Sequence, residues 1–137
     1  MYVDSNIFIL AVLDRNSKGE QARGFIREVR LNRKAAFTSP LTYDEVVWII
    51  HKEQGREFAI KAGTVFLSIK NLVFLDTTGD LVREAHKLIQ ECGLAPRDAI
   101  HAATAIRNEK KVILSEDKVF DKVVGLKRVS LSQLHNI

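Results

Sequence analysis

Four carboxylic acids stand where secondary structure is expected to begin or end. Asp4 follows the apolar opening "MYV", and Glu45 lies early in "TYDEVVWII". Asp98 comes just after Pro96, and Asp117 follows the apolar "KVILS". Carboxylates packed together raise one another's pKa and resist ionisation. A divalent cation reverses that cost, and hard oxygen donors suit Mg²⁺ or Mn²⁺. Two such ions roughly 3.5–4 Å apart can orient a water, stabilise a pentacovalent phosphorus and take the charge of a leaving oxygen. The chemistry in view is therefore phosphodiester hydrolysis.

Each acid also has an ordinary structural use, and alone reads more readily that way. Asp is a favoured N-cap, which suits Asp4. Thr42-x-x-Glu45 fits a capping box, with threonine and glutamate satisfying opposing backbone donors. Asp98 sits where a helix dipole favours negative charge. Asp117, in "SEDKVFD", suits a solvated turn, and Glu116 and Asp121 compete for any role given to it. Order and placement make the four a set: strand end, helix start, helix start, strand end.

The elements that must position them follow from pattern and punctuation. Residues 1–4 read as a strand, 5–13 as a helix and 14–19 as a loop. A helix is expected over 20–32 and a strand over 35–39. Ser39 and Pro40 mark a helix start as cap and first-turn proline. The run Val46 to Ile50 is locally compatible with a strand. The start signals before it and Gly55 after it favour helix, and an all-round apolar helix is a buried one. Further helices are expected over 56–68, 79–93 with Gly93 as C-cap, and 96–109. Strands are expected over 72–76, 111–115 and 127–131, with a loop or short helix over 116–123. Strands alternating with helices imply an α/β fold with a parallel sheet covered on both faces. In such sheets ligands bind beyond the C-terminal strand ends.

At 137 residues, with 46% hydrophobic and 28% charged residues, the chain reads as one globular domain. No apolar run approaches the roughly 18 residues of a membrane span. The N-terminus shows neither a charged leader nor a small-residue cleavage site, so no signal peptide is expected. Cys92 is the only cysteine, which excludes an internal disulfide and a thiolate zinc cluster and suits a cytoplasmic location. The net charge is +4, from 21 basic and 17 acidic residues. A basic exterior around a local acidic pocket suits a polyanionic substrate held by a metal, though +4 also simply aids solubility.

The segments "YVDSNIFI", "TYDEVVWII", "PRDAIHAATA" and "ILSEDKVFD" resemble, in order and over nearly the whole chain, the four acidic motifs of PIN domains, and the chain is similar to VapC-type toxins. The resemblance implies a PIN-like α/β/α sandwich over residues 1–137 with a mostly parallel sheet. It implies a metal-dependent endoribonuclease using Mg²⁺ or Mn²⁺. By position, Asp4, Glu45, Asp98 and Asp117 would be the acidic quartet, with Asn6 and Ser115 at polar accessory positions. Asp4 and Asp98 would be the main metal ligands, and Glu45 and Asp117 would complete the site. The implied partners are RNA, a small antitoxin protein and a second copy in a homodimer. A housekeeping RNA-processing nuclease and an inactive PIN-like binding module are the alternatives.

Other features carry less. His51, His86, His101 and His135 are scattered; His101, one turn beyond Asp98, reads first as a satisfied helix histidine. Trp48, inside the apolar run, reads as core rather than as a base-stacking platform. "RLNRK" and "RNEKK" could guide RNA phosphates or be simply solvated. "FAIKAGTVFLSIK" reads as core, with a dimer or partner surface as the other use. A haloacid-dehalogenase-type phosphotransferase would need a second Asp where Asn6 stands, and a receiver domain would need an acid adjacent to Asp4.

Overall fold

Alternation along the first strand separates the two faces of the sheet. In the computed structural model, which describes residues 1–136, β1 spans Tyr2–Val3. Tyr2 enters a core with Leu81, Ala85, Ala99 and Phe120, and Val3 enters another with Ile7, Phe25, Val46 and Phe66. Successive side chains of a strand point to opposite faces, so one dipeptide serves both cores. Ile113 and Leu114 divide in the same way.

The other elements are α1 (Ser5–Leu13), α2 (Ser17–Arg30), β2 (Ala36–Thr38), α3 (Pro40–Gln54), α4 (Arg56–Leu67), β3 (Leu72–Phe74), α5 (Gly79–Cys92), α6 (Pro96–Arg107), β4 (Val112–Leu114) and β5 (Lys127–Val129). Short 3-10 helices cover Lys118–Lys122 and Leu131–Asn136. The five strands form one sheet in the order β3-β2-β1-β4-β5, and every pairing is parallel. The chain leaves β1 toward β2 on one side and later returns to β4 on the other. The C-terminal ends of β1 and β4 therefore flank the switch point where open α/β sheets place their ligands.

The expected elements all form, with local differences. Each strand is shorter than its apolar run. Helix α2 begins at Ser17, inside the stretch expected to be loop. There the Asp14 carboxylate accepts the Asn16 and Gly19 N–H groups at 2.7 and 3.2 Å, satisfying donors that a helix start leaves open. Gly93 takes the expected left-handed C-cap, with φ 66°.

Two expectations about α3 are corrected. Its first residue is Pro40, so Thr42 lies inside the first turn and cannot cap it. The Thr42 hydroxyl instead accepts from Thr38 Oγ1 at 2.8 Å, which removes the capping-box arrangement. The helix is also not buried all round. Val46 and Ile50 are buried, but Trp48 is 49% exposed. At 100° per residue the five apolar positions cannot all face one core. The α4 segment likewise leaves Phe58, Ile60, Val65 and Leu67 exposed, so it is only partly core. Among the described residues no helix is long and apolar enough to cross a membrane.

Candidate active site

Asp4 ends β1 and caps α1. Its Oδ1 accepts the Ser5 N–H at 2.7 Å and the Ser5 hydroxyl at 3.3 Å. Its Oδ2 accepts from Asn6 Nδ2 at 2.8 Å and from the Ser115 hydroxyl at 2.6 Å. The same carboxylate thus caps α1 and faces Glu45 and His101. Ser115 reaches Asp4 because β4 lies beside β1, with Val3 opposite Leu114. Asn6 Nδ2 also donates to Ser115 Oγ at 2.9 Å, closing a three-residue ring around Asp4.

Glu45 lies in the second turn of α3 and accepts a hydrogen bond from His101 Nε2. His101, on α6, is fully buried, and its Nε2 is also 3.6 Å from Asp4 Oδ1. Its Nδ1 lies 2.7 Å from Tyr2 Oη, which donates to Ser39 Oγ at 2.9 Å. Ser39 occupies the N-cap position of α3 but makes no side-chain cap bond; its hydroxyl is spent on Tyr2. Burial opposes charge on His101, but the Glu45 hydrogen bond and the Asp4, Glu45 and Asp98 carboxylates outweigh it, so its pKa lies above the ordinary value. Protonated on both nitrogens, the ring donates to Glu45 on one side and to Tyr2 Oη on the other.

Asp98, in the first turn of α6, is half-buried. Burial and the charges of Asp4, Asp117 and Glu45 push its pKa up, with His101 opposing. Asp4 is pushed up chiefly by burial, with Glu45 adding to it and His101 and Ser115 opposing. Asp117 is exposed; its Oδ1 accepts the Val119 N–H at 3.0 Å and starts the 3-10 turn. Its own N–H donates to Ser115 Oγ at 3.0 Å. The structure thus brings the four predicted acids into one electrostatic cluster, with Asn6 and Ser115 bonded to Asp4.

The competing acids are engaged elsewhere. Glu116 pairs with Lys18 at 2.7 Å and accepts the Leu131 N–H at 2.8 Å. Burial works to raise its pKa, but Lys18 and that N–H outweigh it and hold it low. Asp121 takes two hydrogen bonds from Arg128, at 2.8 and 3.2 Å.

The residue that sequence reasoning undervalued is His101. The signal was present: it lies one turn from Asp98 on a helix otherwise buried through alanines. A buried imidazole must find polar partners, and its partners here are site residues. His51 and His86 are exposed, and the side chain of His135 lies outside those described.

The donor set fits a hard divalent cation. Asp4 and Glu45 each offer a carboxylate oxygen within 4.8 Å of the other, beside a His101 ring whose nitrogens are committed to Glu45 and Tyr2, and Asp98 adds a carboxylate whose charge the cluster disfavours. Crowded oxygen donors of this kind are relieved by a doubly charged ion.

Comparison with known proteins identifies the fold and the family. No curated protein sequence matches the chain. Among solved structures it is similar to Mycobacterium tuberculosis VapC20, described as a Sarcin-Ricin loop cleaving toxin, with TM-score 0.71 and 15% identity over 88% of this chain and 92% of that one. It is similar to VapBC2 from Rickettsia felis, bound there to a DNA fragment from its promoter, with TM-score 0.73 and 16% identity over 94% and 96%. It is also similar to PAE2754 from Pyrobaculum aerophilum, with TM-score 0.69 and 18% identity over 97% and 90%. These likenesses establish the fold. The PIN domain model matches residues 1–126, and the chain belongs to the PIN domain family.

Proposed function

We propose that this chain is a divalent-metal-dependent endoribonuclease and the toxin of a toxin–antitoxin pair, acting as one domain in the cytoplasm. The observation that carries the reading is the close approach of Asp4, at the end of β1, and Glu45, on α3, with Asp98 and Asp117 within electrostatic reach. Family membership and the likeness to a toxin that cleaves the Sarcin-Ricin loop support it.

In this reading Asp4 and Asp98 hold Mg²⁺ or Mn²⁺, with Glu45 and Asp117 completing the site. When bound, the ion neutralises the carboxylates and supplies Lewis-acid activation of water and phosphate. Asn6 and Ser115 hold the Asp4 carboxylate in one orientation by donating to Oδ2. His101 does the same for Glu45. The excess of basic residues draws the phosphate backbone of RNA toward this acidic pocket.

A groove of about 790 Å³ between α1–α2 and α3–α4 supports the partner reading. Phe8, Ile26 and Phe66 contribute apolar lining, and Arg23, Arg27 and Arg30 basic lining. An amphipathic segment of a small acidic antitoxin fits that chemistry. Val65 of α4 also lines this groove, and the exposed Phe58 and Ile60 of α4, outside its lining, support a homodimer.

The test is cleavage of RNA by purified protein with Mn²⁺ or Mg²⁺, with and without chelator. Asp4→Asn and Asp98→Asn should each lower the rate at least 100-fold in folded protein. Undiminished cleavage in either would overturn the assignment. Affinity capture from the host should return a small co-purifying chain, and Val65→Asp should lose it while retaining cleavage. Capture of the bare protein alone would remove the toxin reading.

A further inference from the structure

Trp48 is the only tryptophan in the chain, and it is left 49% exposed although the residues two before and two after it are buried. Its neighbours on the same side of α3, at i−4, i+3 and i+4, are Asp44, His51 and Lys52, all exposed. On its own helix it is therefore an aromatic flanked by polar groups.

Its surroundings make a flat, charged platform. The His51 ring lies nearly parallel to the indole, 21° between planes and 6.1 Å between centroids. Lys52 Nζ is 5.5 Å from the indole centroid. These contacts hold the ring against its own helix, which lowers the entropy lost when something stacks on it. Glu45 is three residues earlier on α3, and residues at that spacing have Cβ atoms about 5–6 Å apart. The platform thus stands at the rim of the acidic cluster, one helical turn from a residue that faces it.

An indole with an adjacent ammonium is the combination that holds unpaired nucleotides: the base stacks and the cation meets the phosphate. We propose that Trp48 stacks an unpaired RNA base next to the scissile phosphate, with Lys52 contacting the phosphate attached to that nucleotide. The inference rests on the nuclease reading, which makes RNA the ligand at this rim. It adds that Trp48 is the residue that receives an unpaired base at this rim. A fully paired duplex keeps its bases stacked on one another and offers the indole no free face.

The sole tryptophan makes the proposal directly readable. In metal-free protein, titration with a single-stranded oligoribonucleotide should quench the indole fluorescence saturably, and the same sequence as a duplex should not. In Mn²⁺, Trp48→Ala should raise KM for a single-stranded RNA roughly 10-fold while kcat changes less than about 3-fold. Trp48→Phe, which keeps a stacking face, should restore most of that loss. Circular dichroism should show both variants folded, since the side chain is half in solvent. Quenching without cleavage would keep the platform and remove the nuclease reading. Cleavage with an unchanged KM in Trp48→Ala, or absence of quenching, would overturn the platform. Quenching that follows protein concentration without RNA would assign the face to a second copy, and also overturns it.

Discussion

Glu45 and His101 meet across the site although 56 residues separate them: His101 Nε2 donates to the Glu45 carboxylate while its Nδ1 is held by Tyr2 Oη. One hydrogen-bonded path therefore joins Ser39, Tyr2, His101 and Glu45, reaching from two strand ends and two helices. Its interior members are completely buried, so none can exchange its partner for water. Such a path fixes Glu45, the second acid, in direction as Asn6 and Ser115 fix the first, Asp4.

Tyr2→Phe tests that path, because it keeps the ring in the core and removes only Oη. His101 Nδ1 and Ser39 Oγ each lose a partner at 2.7 and 2.9 Å. Stranding buried polar atoms should lower stability by about 1–3 kcal/mol. With Glu45 less firmly held, kcat should fall roughly 10-fold with KM for RNA unchanged. Chemical denaturation and steady-state kinetics check both numbers. Wild-type values in each would mean the path orients nothing.

Asp98→Asn should stabilise the metal-free protein at neutral pH, because it removes a charge crowded by burial and by Asp4, Asp117 and Glu45. Solvent reaches Asp98 and screens the effect, so the unfolding midpoint should rise only by roughly 2–4 °C. The sign with pH follows from the raised folded pKa. Wild type gains stability as pH falls through that pKa, and the gain is complete below the ordinary value of 3.8. The advantage of Asn should therefore shrink as pH is lowered from 7 toward the carboxylate range. Adding Mn²⁺ should raise the wild-type midpoint more than that of the variant. Differential scanning calorimetry with and without metal decides it, and an advantage that grows on acidification would contradict the crowding.

Ser115→Ala removes a hydroxyl that donates to Asp4 Oδ2 at 2.6 Å and accepts from Asn6 and from the Asp117 N–H. The lost donor was opposing the upward push that burial exerts on Asp4. The Asp4 pKa should therefore rise further, and protons should compete with metal at higher pH. The Mn²⁺-induced rise in midpoint should disappear, on acidification, at a higher pH in the variant than in wild type. Coincident pH profiles would show that Ser115 does not tune Asp4.

Two glycines of α2 should respond in opposite directions. A Cβ on Gly19 would lie 1.9 Å from the Asp14 carbonyl oxygen, a backbone atom that cannot step aside. Gly19→Ala should cost about 2 kcal/mol or more as the helix start is forced open. A Cβ on Gly24 meets nothing within 4 Å, and Gly24→Ala should stabilise by about 0.5–1 kcal/mol. Urea denaturation of the two variants measures both, and equal signs would refute the contrast.

What the sequence determined by itself is local and periodic. Alternating apolar runs placed the strands, and Pro40, Pro96, Gly55 and Gly93 punctuated the helices within a few residues. The order of acids marked Asp4, Glu45, Asp98 and Asp117 as a set, and motif resemblance named the family. These signals survive in one dimension because propensity, capping and alternation act over a few residues. The tertiary structure decided what depends on partners far apart in the chain. Glu45 faces His101 and not a helix cap because α3 begins at Pro40 and its second turn brings Glu45 within hydrogen-bond reach of α6. Glu116 and Asp121 are taken up by Lys18 and Arg128, contacts that no spacing rule encodes. Ser115 reaches Asp4 across 111 residues only because β4 pairs with β1. Trp48 faces solvent because a helix turns 100° per residue while hydropathy records only that its neighbours are apolar. In each case the residue's type was legible and its direction was not, since direction is set by which distant surface the element packs against.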